Sequence, residues 1–464
     1  MAELDDQTTP DALAEEDAYS IDRDLVAGIL YALEVQDRAT LVDLLEPLHP
    51  ADIADIIEQI NPSDRRRLVR LYGEEFDGDI LSELDDGLQE EIISILRPDV
   101  LAGAVRELES DDIVDLVEDL DEPQQEAILE QLDDADRVAV EQALSFPENT
   151  AGRLMQRETV WVPEDWNVGQ AIDHLRAAKE LPEQFYHVIL VTPRMKPVGN
   201  VTLGRLMSSK RSVPLQTIVE EEFQTIPVAQ DEEDVAYAFN QYHLISAPVV
   251  DADERLIGMI TIDDAMAVLD EEHEEDILRL AGVSEETSLS DTIFEAAKGR
   301  ATWLFVNLLT AILASLVIGL FSDTIDEMVA LAVLMPIVAS MGGNAGTQTM
   351  TVTVRALATK DLTAQNAWRV ARRELSVGAL NGALFGFIMA LVAGFWFGVP
   401  MLAVVIGVAM LFTQIAAALG GIVIPMALDR AGIDPALASG PFVTTITDVV
   451  GFFAFLGLAS SILL

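Results

Sequence analysis

Asp448 is the residue whose type and placement most directly suggest chemistry. It is the only acidic residue in an apolar stretch from Pro435 to Leu464. That stretch is about 30 residues long, and roughly 20 span a bilayer core. A carboxylate within a membrane span costs at least about 2.5–3.5 kcal/mol on insertion scales, so it faces a cavity or a partner. No Lys, Arg or His lies in the stretch to neutralise it. The simplest occupant of such a position is a transported cation or a proton. The plainer reading is a protonated structural Asp hydrogen-bonded to Thr444, Thr445 or Thr447.

A second polar constellation is Met341-Gly-Gly-Asn-Ala-Gly-Thr-Gln-Thr349. Three glycines in five residues weaken a helix, and Pro336 shortly before them can kink it. Irregular backbone survives in a membrane only where it is packed in protein or lines a wet cavity. Asn344 and Gln348 favour a lining, whereas the glycines alone would equally suit a helix-packing seam. Gly440-Pro441 is expected to interrupt the last span before Asp448. A third constellation is the run Glu271, Glu272, Glu274, Glu275 and Asp276. Its carboxylates repel unless a cation is present, and oxygen-rich clusters suit Mg²⁺ or Ca²⁺. Such acids also suit the first turn of a helix.

The elements that must position these residues divide near position 300. Of the 79 acids and 28 bases, 71 acids and 22 bases precede residue 301. An acidic soluble module therefore joins a nearly neutral, apolar membrane module. Five spans are expected, over Ala301–Phe321, Met328–Thr349, Leu375–Phe397, Met401–Leu428 and Pro435–Leu464. Lys298, Arg300, Arg355, Lys360, Arg369, Arg372, Arg373 and Arg430 all fall in connections on one side. That side is the cytoplasm by the positive-inside rule, with the N-terminus inside and the C-terminus outside. Residues 1–20 are polar and acidic and do not read as a signal peptide. With no Cys there is neither disulfide nor thiolate metal site. Five Lys against 79 acids suit a salt-filled cytoplasm, where screening tolerates self-repulsion, so most acids are solvated surface. The charge excludes nucleic acid as a partner. No nucleophile–base constellation suggests an enzyme.

The soluble half has two textures. Residues 1–20 read as a disordered acidic tail. Residues 21–149 read as a superhelix of short amphipathic helices. His49-Pro-Ala-Asp, Asn61-Pro-Ser-Asp and Glu109-Ser-Asp-Asp recur there as N-cap units. Residues 150–215 and 216–272 then carry the order β–α–β–β–α twice, about 65 residues apart. The second copy, with Thr225-Ile-Pro, Ala247-Pro-Val-Val-Asp and Gly258-Met-Ile-Thr-Ile-Asp-Asp, resembles a CBS module, a regulatory domain that binds nucleotides or ions. The first copy, around Val191-Thr-Pro-Arg-Met-Lys-Pro-Val-Gly-Asn, resembles it less closely. A helix over 273–300 is expected to connect this pair to the membrane module at 301–464.

Taken together, the layout and motifs resemble the MgtE magnesium channels over nearly the whole chain. Gly342-Gly-Asn-Ala-Gly-Thr-Gln348, Arg355-Ala-Leu-Ala-Thr359, Asp434-Pro-Ala-Leu-Ala-Ser-Gly-Pro441 and Thr447-Asp448 carry the resemblance. Thr150-Ala-Gly-Arg-Leu-Met155 resembles the entry to the family's regulatory pair. The resemblance implies a multi-domain fold: a helical N domain, α/β tandem CBS modules, a connecting plug helix and five transmembrane helices. It also implies a homodimer in the lipid bilayer with ten spans and one pore. Mg²⁺ is then both cargo and regulator, and cytoplasmic Mg²⁺ closes the pore. Asp448 matches the pore carboxylate, with Gly342, Gly343, Asn344, Gly346, Gln348 and Thr444 as lining. Asp111, Asp115, Asp264, Glu272, Glu275, Asp276 and Asp434 match regulatory acids. Ala267 stands where the sensing cluster carries an acid, and Gly440 where members carry Asn. ATP is a further candidate ligand of the CBS pair. A proton-coupled carrier and a membrane-anchored sensor are the alternatives.

Overall fold

Asp, Asn, His and Pro residues start the helices of the N-terminal region. The computed structural model describes residues 21–118, 120, 122–178, 181–182, 184–284 and 293–463. The acidic tail expected over 1–20, and positions 285–292 of the expected connecting helix, lie outside the described residues. The chain divides into two units, one ending at Leu269 and one beginning at Asp270.

The first unit opens with ten helices: α1 (Arg23–Val35), α2 (Arg38–Leu45), α3 (Pro50–Gln59), α4 (Pro62–Tyr72), α5 (Gly78–Ser82), α6 (Asp86–Ile95), α7 (Pro98–Glu107), α8 (Ser110–Glu118), α9 (Glu122–Leu129) and α10 (Asp134–Ala143). Proline occupies the first turn of α3, α4 and α7, where its missing N–H is harmless. Asn61 Oδ1 accepts from Ser63 N and Asp64 N, both at 3.1 Å, and His49 Nδ1 accepts from Ala51 N at 3.3 Å. Helices this short are marginal alone. They share one apolar core that includes Leu33, Leu41, Ile56, Leu68, Ile92 and Val117.

Arg65 is buried beside that core at 5% exposure. Its Nε donates to Ile57 O at 2.9 Å and its Nη2 to Ile60 O at 3.4 Å, so it satisfies carbonyls at the end of α3. Its Nη1 pairs with Glu91 of α6 at 2.7 Å.

The strands follow. Helix α11 (Ala151–Leu154) precedes β1 (Trp161–Pro163), α12 (Val168–Ala177), β2 (His187–Val191), β3 (Pro197–Thr202) and α13 (Leu203–Ser208). The pattern repeats as β4 (Ile226–Pro227), α14 (Glu232–Tyr242), β5 (Ser246–Val250), β6 (Leu256–Thr261) and α15 (Ile262–Ala281). Each copy makes a three-stranded sheet with one parallel and one antiparallel pair. Val168 and Glu232, which open the two copies' helices, lie 64 positions apart as expected, whereas His187 and Ser246, which open the second strands, lie 59 apart. The first copy has the longer connection between its helix and second strand, and this shifts the spacing. The segment after α11 docks on the second sheet, where Gln156 exchanges backbone hydrogen bonds with Met259 at 2.8 and 2.9 Å. A Cβ on Gly258 would lie 2.6 Å from Met155 Sδ, so only glycine admits this approach.

The second unit holds the end of α15, then α16 (Ile293–Gly319), α17 (Ser322–Glu327), α18 (Ala330–Ala358), α19 (Ala367–Phe397), α20 (Pro400–Arg430) and α21 (Pro435–Ile462). Among the described residues, five helices are long and apolar enough to cross a membrane. Helix α20 packs against α18, α19 and α21, and α16 packs on α21. Leu308, Leu316, Leu380, Phe387 and Phe395 remain exposed on α16 and α19, as on a bilayer-facing surface.

Two expectations are corrected. The Gly-rich segment and Pro336 do not break α18, and Gly440-Pro441 does not break α21. Glycine costs a helix about 1 kcal/mol, whereas an unsatisfied backbone group in hydrocarbon costs several, so the helix persists. The connecting helix over 273–300 is also not one element. Helix α15 begins at Ile262 and stops at Gly282, where φ is +72°. Val283 N donates to Leu278 O and Gly282 N to Arg279 O, a Schellman stop that favours glycine. Lys298 and Arg300 belong instead to α16.

Replacing Arg65 with Ala strands the Ile57 and Ile60 carbonyls, leaves Glu91 with Arg66 alone, and is expected to cost about 3 kcal/mol. Hydrogen exchange should then quicken across α3 and α4 while α19 and α20 keep their protection.

Candidate functional site

The membrane site is built on the contact of α18 with α21. A Cβ on Gly346 would lie 2.7 Å from Val443 Cγ1 and 3.1 Å from Thr447 Cγ2. One on Gly342 would lie 3.5 Å from Thr447 Cβ. Gly342 and Gly346 are therefore buried at the seam of α18 with α21. Beyond Gly343 there is open space within 4 Å of a built Cβ. Asn344, Gln348 and Thr444 are exposed.

Asp448 follows Thr447 directly and is half-buried. Thr445 Oγ1 donates to Pro441 O at 2.6 Å and Thr447 Oγ1 to Thr444 O at 2.9 Å. These hydroxyls are spent on their own helix. Among the described residues, none hydrogen-bonds or ion-pairs with the Asp448 carboxylate.

One end of this unit joins α15 to α21. Asp434 caps α21 by accepting from Ala436 N at 2.7 Å, and its other oxygen lies 2.8 Å from Arg279 Nη1. Arg279 also pairs with Glu275 at 2.7 Å. Burial raises the Asp276 carboxyl above its ordinary value, and Asp434 adds to that, against the pull of Arg279 and His273. Leu280 packs with Met350, Val354, Ala436 and Val443 at the same place. Glu272 lies on the same helix, one turn before Asp276. The sequence reading missed Arg279. The signal was available, since it is the only Lys or Arg among the acids of α15.

A third group of acids lies inside the first unit, where α8 meets the start of α15. Asp111 is 8% exposed, and burial, then Asp264, Asp112 and Glu109, push its carboxyl well up. Asp264 is pushed up to about 7 by burial first, against the hydrogen bond from Thr261. Glu109 and Asp112 are each pushed up to about 6, again chiefly by burial. Asp264 also does local work: Thr261 N and Oγ1 donate to its Oδ2 at 3.1 and 2.7 Å, which starts α15. Asp115 is exposed one turn further along α8.

The sequence reading took Glu109-Ser-Asp-Asp as a helix start and missed Glu109 and Asp112 as members of this cluster. Glu158 was missed as well. It accepts from Ser110 Oγ at 2.8 Å and raises the Glu109 carboxyl. The carboxylates of this group are all hard oxygen donors, the class that suits a hard cation. Among the described residues, no three Asp, Glu or His are arranged to hold a bare metal ion.

Comparison with known proteins places this geometry. A divalent cation transporter model, MgtE, matches residues 335–458. The MgtE intracellular N domain matches 48–149, and a CBS domain matches 215–271, the second of the two repeats. The magnesium transporter MgtE of Enterococcus faecalis is 34% identical over 69% of this chain and 71% of its own length. That of Thermus thermophilus is 32% identical over 70% and 72%. A crystal structure of the cytosolic domain of the Mg²⁺ channel MgtE in complex with ATP is 27% identical, covering 52% of this chain and 99% of that one, with a TM-score of 0.49. The architecture, the matched domains and the relatives agree, and the chain belongs to the MgtE family of divalent cation transporters.

Proposed function

We propose that this chain is an Mg²⁺-selective channel of the cell membrane, closed by Mg²⁺ on its cytoplasmic side. The observation that carries the reading is Asp448, a carboxylate within a membrane-spanning helix whose neighbours Thr445 and Thr447 spend their hydroxyls on their own helix. The names of the relatives support magnesium as the cargo. Mg²⁺ dehydrates reluctantly and keeps several waters. In a homodimer, two copies of Asp448 flanking a wet axis bind the hydrated ion through those waters, selecting by size and charge. Gly343, Asn344, Gln348 and Thr444 supply the surrounding surface. The basic connections support an N-terminus inside and a C-terminus outside.

Closure is a linkage effect. Asp111, Asp115 and Asp264 in the first unit, and Glu272, Glu275, Asp276 and Asp434 in the second, are the proposed regulatory acids. Ions that prefer the compact arrangement shift the population by their differential affinity. ATP at the CBS pair is a second regulatory ligand, tested by titration at fixed Mg²⁺.

The sign of the pH dependence follows from the raised carboxyls. A raised value means that the folded arrangement binds more protons than the separated one between the ordinary carboxylate value near 4 and about 7. Stability of the α8–α15 contact therefore falls as pH rises through that window. The thermal midpoint should drop between about pH 4 and about pH 8, and Mg²⁺ should restore more of it at the upper value. Asp264→Asn should flatten both trends.

Transport is tested with Mg²⁺ flux into liposomes at low and high internal Mg²⁺. Wild type should conduct at low internal Mg²⁺ and shut at high. Asp448→Asn should lose at least about tenfold of the flux, or about 1.4 kcal/mol. Undiminished flux in that variant would remove Asp448 from the pore.

A further inference from the structure

Three helices meet α20 near its middle, and each does so with glycine. A Cβ on Gly342 of α18 would lie 2.6 Å from Thr413 Cγ2. One on Gly378 of α19 would lie 2.9 Å from Gln414 O, and one on Gly382 would lie 3.1 Å from Gln414 Cβ. One on Gly451 of α21 would lie 3.3 Å from Thr413 Cγ2. Thr413 and Gln414 are 0% and 2% exposed. Thr413 spends its hydroxyl within α20, on Ala409 O at 2.9 Å. Gln414 instead reaches across, its Nε2 donating to Met341 O at 3.1 Å.

A buried carboxamide is costly unless bonded, and an apolar side chain of similar size would fill the same space. The amide therefore contributes direction. Its acceptor is a backbone carbonyl, so the bond reads the rotation of α18 about its own axis whatever side chains α18 carries. At 100° per residue, Asn344 lies about 200° from Gly342 and Gln348 about 200° from Gly346. With the glycines held inward, the two amides face the opposite way.

We infer that Gln414 is a positioning residue for transport. Its bond to the Met341 carbonyl fixes the rotation of α18, and Thr413 seats Gly342 and Gly451 on the same turn of α20. The polar face of α18 is thereby held in one orientation relative to α21, the helix that carries Asp448. The last step rests on the proposed role of Asp448.

The test compares wild type, Gln414→Leu and Gln414→Glu in liposomes, each first checked for native helical content and a single size. Gln414→Leu should lower Mg²⁺ flux about tenfold, the order of one interhelical hydrogen bond, and raise the half-saturating concentration. Hydrogen exchange over Met341–Gln348 should quicken. A buried Glu titrates well above its ordinary value and donates only when protonated. Gln414→Glu should therefore follow wild type near about pH 5 and the Leu variant near about pH 9, normalised to wild type at each pH. Wild-type flux in Gln414→Leu, unchanged exchange along α18, or a Glu variant with no pH dependence of its own would each overturn the inference. Asp448→Asn run alongside separates the two ideas: retained flux there sinks the pore reading, while the exchange measurement still judges the Gln414 bond.

Discussion

Hydrocarbon offers no solvent partner for a peptide N–H or C=O, and the membrane unit is organised around that constraint. The spanning helices run on as helices, even through Gly342-Gly343-Asn344-Ala345-Gly346 and across Gly440-Pro441. Polar function must then come from side chains on unbroken helices. The glycines remove side chains so that helices approach closely, which is the main attraction available where lipid is as apolar as the protein. Close approach decides which face of each helix turns inward. That in turn decides which polar residues are left over, namely Asn344, Gln348, Thr444 and Asp448.

The first unit handles buried charge in two contrasting ways. Arg65 is enclosed and fully satisfied, by two carbonyls and a carboxylate, and it ties α3 to α6. Asp111 and Asp264 are enclosed beside further acids, with burial and repulsion both acting against their charged forms. The first arrangement holds at any ordinary pH and ion content. The second depends on protons or cations, so its tightness reports the composition of the surrounding solution. Asp264 is also the residue that starts α15 through Thr261. The same buried carboxylate therefore belongs to the hydrogen bonding that starts the helix.

Much of this was legible in the sequence because it rests on local rules. The five spans follow from apolar length, and the helix starts at His49 and Asn61 follow from capping chemistry. The doubled β–α–β–β–α order and the isolation of Asp448 are visible from residue types alone. What was not legible depends on three-dimensional neighbours. Glycine content reads the same whether it loosens a helix or seats one, and the partners Thr413 and Val443 decide that here. Glu109, Asp112 and Glu158 look like surface acids in a chain rich in them, and only the fold brings them beside Asp264. Gln414 sits in an apolar run where one amide gives no periodic signal. The short helix α17 and the stop at Gly282 were missed because each is set by a single turn.

The stop at Gly282 has a mechanical consequence. Because α15 ends there, it does not run on as a rigid rod into α16. Any push along α15 leaves the helix sideways, through Leu280 and through Arg279 onto Asp434 at the first turn of α21. That lateral coupling is partly electrostatic, yet Arg279 is only 18% exposed. In roughly 1 M salt, where screening acts within about 3 Å, open surface pairs fade and sheltered ones persist. A shielded ion pair of this kind keeps its strength at ionic strengths where exposed pairs lose theirs.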